Sequence, residues 1–141
     1  MTIVIYYYIV DGMDTKKPLI LLVDDEKYFL DIFSTKLTAF GFDVVCVESG
    51  EAALARLKEI TPDLILLDVK MPILDGVETF YKIKSDFPQL ATKVAFLTAY
   101  GEDINKPSFD RKFAQEVGAA EYIRKSDDLD EIAKKVKSLT G

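Results

Sequence analysis

Four short runs of uninterrupted apolar residues, at 19–23, 44–47, 64–67 and 94–97, constrain this chain more than any other feature. A fifth segment, at 120–123, is broken by Glu121. A strand with one wet face alternates apolar and polar residues. A run without alternation predicts burial on both faces, as in a parallel sheet covered by helices. Helical patterns separate the runs. Phe29, Ile32, Phe33, Leu37 and Phe40 share a helical spacing over 28–40, with Gly41 as a stop. Ala52, Leu54, Ala55 and Leu57 do so over 51–60, with Ser49 as a candidate N-cap. Further helices are predicted over 77–87, ending near Pro88, over 109–117, ending at Gly118, and over 129–139. Five βα units in series, joined by right-handed crossovers, give an α/β chain: a doubly wound parallel sheet with five helices.

The first dozen residues stand apart. Residues 2–10 read TIVIYYYIV, too short for a membrane helix. No basic residues precede them, so neither a signal peptide nor a membrane span is expected. Asp11-Gly12 marks a turn, and Met13 opens a second plausible beginning. Residues 1–16 are therefore set apart as an apolar extension from a domain at 17–141. The extension is either outside the core chemistry, an extra N-terminal strand at a sheet edge, or a contact between chains, in which case a weak dimer rather than a monomer is expected.

Composition narrows the chemistry. Among 141 residues there is no histidine and one cysteine, Cys46. Ser-His-Asp and Cys-His catalysis, imidazole metal sites, disulfides and thiolate zinc clusters are all excluded. Cys46 lies in an apolar run and is expected to be a small core residue. A net charge of −6 argues against direct nucleic-acid binding, which needs clustered Lys and Arg. The remaining tools are carboxylates, hydroxyls, lysines and backbone amides.

Those groups fall at predicted strand ends, where an open parallel sheet binds its ligands. The first strand ends in Asp24, Asp25 and Glu26, the third in Asp68, the fourth in Thr98 and the fifth near Lys125. A single Asp in such a place is ordinarily a helix cap or turn residue. Likewise, Lys125 alone would be a solvated lysine. Three clustered carboxylates repel, and a fold keeps them mainly where a cation can occupy the space. With oxygen ligands only, that cation is Mg²⁺ rather than zinc, and Mg²⁺ beside a carboxylate suggests phosphoryl chemistry.

The segments LILLVDDE at 19–26, LILLDVKMPILDG at 64–76, FLTAY at 96–100 and EYIRK at 121–125 resemble the receiver domain of two-component response regulators. The resemblance covers most of the chain after the extension. It implies a flavodoxin-like sheet of order 2-1-3-4-5 and a signalling domain of the cytoplasm rather than an enzyme. It implies that Asp68 is the phosphoacceptor, taking a phosphoryl group from a phosphohistidine on a sensor histidine kinase or histidine phosphotransferase. Asp25, Asp68 and the backbone carbonyl of Lys70 would hold Mg²⁺ directly, and Asp24 through a water. Lys125 and Thr98 would contact the phosphoryl group, and Tyr122 would be the coupled aromatic switch acting on a downstream protein. Lys70 and Tyr100 occupy the family's two rate-tuning positions. Both are large, and slow self-dephosphorylation is expected.

Two features depart from the family. Ser126 stands where a proline usually follows the late lysine, so a trans peptide is expected, with consequences for the aim of Lys125. Segment 101–112 lengthens the interval between Thr98 and Lys125. Two other functions compete. A phosphorylation-independent pseudo-receiver would not need the intact acids, Thr98 and Lys125. A Mg²⁺-dependent phosphohydrolase of the haloacid dehalogenase type needs a second Asp where this chain has Lys70.

Overall fold

The computed structural model describes residues 16–99 and 111–141. The elements run β1 (Leu19–Val23), α1 (Lys27–Ala39), β2 (Asp43–Val47), α2 (Gly50–Arg56), β3 (Leu64–Asp68), α3 (Gly76–Asp86), a 3-10 turn (Pro88–Lys93), β4 (Val94–Thr98), α4 (Arg111–Val117), β5 (Glu121–Arg124) and α5 (Leu129–Thr140). The strands form one sheet of order β2-β1-β3-β4-β5, every pair parallel. This is the doubly wound α/β arrangement expected. The extension, Tyr100 and residues 101–110 lie outside the described residues, and with them the proposed extra strand and the first two residues of the fourth helix.

Alternation along each central strand divides the core between the two faces. Leu21, Val23, Ile65, Leu67, Val94 and Phe96 pack with Ala53, Phe80, Ile83 and Ala114 from α2, α3 and α4. Ile20, Leu22, Leu64, Leu66, Ala95 and Leu97 pack with Leu30, Phe33 and Leu37 from α1 and Ile132, Ala133 and Val136 from α5. Burying so many aliphatic side chains, at about 1.5–3 kcal/mol each, holds the layers together.

Several expectations need correction. The α1 stripe centres on Leu30, Phe33 and Leu37, which leaves Ile32 facing solvent. Helix α2 ends at Arg56 rather than at residue 60. There Lys58 N–H and Glu59 N–H donate to Ala55 O and Arg56 O, tightening the last turn into i→i+3 bonds. Strand β2 is not buried on both faces, because it is an edge strand, and Cys46 on it is exposed rather than a core residue. The 3-10 turn that buries Leu90 and Ala91 was not expected.

Other signals hold. Ser49 caps α2 by accepting from Ala52 N at 3.0 Å, and Gly41 (φ 98°) and Gly118 (φ 89°) end their helices in the left-handed region. Asp75 caps α3, its Oδ1 accepting from Glu78 N at 2.8 Å. Gly76 opens α3 against the end of β3. A Cβ there would lie 2.7 Å from Val69 Cα and closer still to the carbonyl oxygen of Asp68. Gly76→Ala is therefore expected to destabilise by about 3 kcal/mol, since backbone on both sides must give. Asp75→Ala is expected to cost about 1 kcal/mol as a lost cap. Urea unfolding of the two variants checks both the direction and the order.

Candidate functional site

Backbone bonds at the carboxyl edge join the β1 tip to β2 and link the tips of β3, β4 and β5 in a row. Asp24 N donates to Val47 O at 3.2 Å, Val69 N to Leu97 O at 2.9 Å, Gly76 N to Val69 O at 2.7 Å and Lys125 N to Thr98 O at 2.7 Å. The side chains of Asp24, Asp25, Asp68 and Lys125 are thereby fixed near one point. Asp24 and Asp68 are buried and Asp25 is exposed, and each can offer a carboxylate oxygen within 4.8 Å of the others.

One oxygen of Asp24 accepts from Glu26 N at 2.9 Å, closing the turn into α1. The other, Oδ2, is shielded from water, has no well-angled hydrogen bond, and faces the Lys125 ammonium at 2.5 Å. Lys125 Nζ also lies 3.1 Å from Glu26 Oε1 and 3.4 Å from Asp68 Oδ1. Beneath it, the Phe29 ring centroid is 4.8 Å away. The ammonium thus sits among three carboxylates, over an aromatic face.

Burial raises the Asp24 carboxyl above its ordinary value, because desolvation outweighs the help from Lys125 and the Glu26 amide. Burial alone would lower Lys125. The carboxylates of Asp24, Asp68 and Glu26 reverse that and hold it well above its ordinary value, so it stays an ammonium.

The remaining described candidates lie on β4, on β5 and in the loop after β3. Thr98 is buried at the end of β4, and its hydroxyl is within 3.4 Å of Ala99 O. Tyr122 pairs with Phe96 across the β4–β5 ladder and packs half-buried against the core on the α2–α4 face. Lys70 is exposed in the loop after β3. In that loop Met71 is buried, while Ile73 is 93% exposed with φ 69°. A β-branched residue in the left-handed region is strained, and nothing in the sequence announced it. No cis peptide occurs among the described residues, so Lys125–Ser126 is trans as expected, and the lysine still reaches the acids. Sequence reasoning grouped Glu26 with the acids but missed its grip on Lys125. It missed the role of Phe29 too, which read only as part of a helical stripe. An aromatic residue four positions after the acidic pair was the available signal for the latter.

A family model described as the response regulator receiver domain matches residues 20–137. The chain belongs to the response regulator receiver family. This receiver is 34% identical to the alkaline phosphatase synthesis transcriptional regulatory protein PhoP of Bacillus subtilis, over 85% of the chain and 47% of that protein. It is 38% identical to a CpxR homolog of Haemophilus influenzae named as a transcriptional regulatory protein, over 85% of the chain and 49% of that protein. The chain thus spans about half the length of the curated relatives it matches. Among solved structures, the receiver domain of Francisella response regulator 1452 superposes with a TM-score of 0.73 at 26% identity, covering 88% of this chain and 97% of that one. The Vibrio cholerae chemotaxis protein CheY4 shares the fold, with a TM-score of 0.75 at 22% identity, covering 88% and 99%. No helix among the described residues is long and apolar enough to cross a membrane.

The raised Asp24 carboxyl gives a pH prediction for the metal-free receiver. A folded-state pKa above the unfolded one makes the charged form a liability to folding at neutral pH. Asp24→Asn is therefore expected to be more stable than the parent at pH 7. The advantage should shrink as pH falls through the raised value and be gone below 3.8, the ordinary value, where both states of the parent are protonated. Urea unfolding at several pH values in chelator reads the crossover.

Proposed function

We propose that this receiver is a phosphorylation switch in which Asp68 takes a phosphoryl group from a phosphohistidine on a sensor histidine kinase or histidine phosphotransferase. The convergence of Asp24, Asp25, Asp68 and Lys125 on one cleft carries this reading. A carboxylate oxygen of Asp68 attacks phosphorus. The new O–P bond forms as the N–P bond breaks, and the imidazole leaves. Asp68 is 1% exposed, so the donor must present phosphorus within the cleft, and bulk water is kept from the reacting oxygen.

The oxygen-only donor set fits Mg²⁺. Asp25, Asp68 and the Lys70 carbonyl would hold it directly, with Asp24 acting through a water. When bound, it neutralises charge on the transferring group. Lys125, already 3.4 Å from Asp68 Oδ1, turns to a phosphoryl oxygen and stabilises charge there. Thr98 at the end of the neighbouring strand donates its hydroxyl to the same group. Tyr122 turns inward as Thr98 moves, and the altered surface changes the affinity for a downstream protein. In this reading the chain is no enzyme towards other substrates, and it works in the cytoplasm. Two relatives are named as transcriptional regulatory proteins. The output proposed here is altered protein binding, since a net charge of −6 disfavours direct contact with nucleic acid. The domain at 17–141 carries this function.

Thermal melts test the reading. Ligand at a hundredfold excess over Kd adds about 2.7 kcal/mol to the native state. Mg²⁺ should raise the melting temperature, and beryllofluoride, the acyl-phosphate mimic, should raise it further. Asp68→Asn should abolish the second step and, with one direct ligand changed, weaken the first. A parent indifferent to both ligands would overturn the proposal. Lys70 and Tyr100 generate a rate prediction. The parent acyl phosphate should decay more slowly than that of the Lys70→Asn, Tyr100→Glu variant, and equal decay rates would remove the tuning role.

A further inference from the structure

We propose that Phe29 is a positioning residue for Lys125: its ring face holds the ammonium over the acidic cleft. This rests on the phosphoacceptor reading above. Lys125 lies one residue past β5, an edge strand, and is followed by an exposed turn in which Asp127 N donates to Arg124 O at 3.1 Å. Its four-carbon stem carries considerable rotamer freedom. Asp24 pairs with the ammonium and Glu26 accepts a hydrogen bond from it at 3.1 Å, but Glu26 is 63% exposed, so water screens its pull. Phe29 adds an uncharged contact to these. Its ring centroid lies 4.8 Å from Nζ, within the range of a cation–π contact. The ring is itself braced by Phe33, whose centroid is 5.3 Å away and which is fully buried in the core beneath α1.

The ring differs from the acids in one respect. Asp24 and Asp68 must exchange Lys125 for other partners once a phosphoryl group occupies the cleft. A neutral aromatic face does not compete for phosphate or cation, so its contact survives the exchange. Phe29 thus keeps the ammonium over the cleft while it turns from the carboxylates to a phosphoryl oxygen.

Two measurements test this. In proton NMR the Lys125 Cε protons, assigned by their loss in Lys125→Arg, should be shifted upfield by the ring. The shift should persist in Phe29→Tyr and vanish in Phe29→Leu. Its absence from the parent overturns the inference without any variant. By calorimetry with Mg²⁺ and beryllofluoride, Phe29→Leu should bind the mimic about five- to tenfold more weakly, the effect of a partly desolvated cation–π contact. Phe29→Tyr should stay within about twofold of the parent. Urea unfolding runs alongside. A Leu variant that loses stability but binds normally makes Phe29 a mere core residue and overturns the proposal. A parent that does not bind the mimic instead removes the phosphoacceptor reading, and this inference with it.

Discussion

Negative charge packed at the tips of β1 and β3 is the constraint on which the rest of the site depends. Two carboxylates within 4.8 Å repel by about 3–4 kcal/mol at an effective dielectric of 20. Asp24 and Asp68 are buried, so water offers little relief. The fold answers with one ammonium, carried in from the far end of the sheet by a residue 99 positions from Glu26. Lys125 occupies the region that a cation would otherwise neutralise. The arrangement is stable enough to fold around and still open to exchange.

The sheet makes that delivery possible. All strands run parallel, so every strand leaves its carboxyl end on the same edge. Backbone bonds lock the tip of β1 to β2, and those of β3 and β5 to β4. The core alternation that divides aliphatic side chains between two helical layers also decides what supports the cleft. The α1–α5 face brings Phe29 and Phe33 under Lys125, and the α2–α4 face brings Phe96 and Tyr122 beside Thr98.

Much of this was legible in the residues because it depends on period and order. Uninterrupted runs such as LILLV at 19–23 announced buried parallel strands, and Asp24, Asp25 and Asp68 announced the acidic edge. What could not be read depends on position within the sheet. Cys46 lies in a run as apolar as the others, yet β2 is outermost, and no local pattern says which strand ends a sheet. Ile32 obeys helical spacing but sits to one side of the buried stripe. The grip of Phe29 on Lys125 joins α1 to the end of β5, a contact that only tertiary structure creates. Ile73 adopts a conformation its own chemistry disfavours, so propensity pointed away from it.

Gly76 has a mechanical consequence. With no side chain between them, the first turn of α3 rests directly on the backbone of Asp68, and Asp75 clamps that turn from the other side. A small shift of the strand tip has no soft layer in which to dissipate. It is handed to a rigid rod of 11 residues, about 16 Å long, whose far end reaches Asp86. Because Phe80 and Ile83 anchor the helix in the core, any displacement at the carboxylate is passed straight into that face's packing rather than absorbed by a pliant side chain.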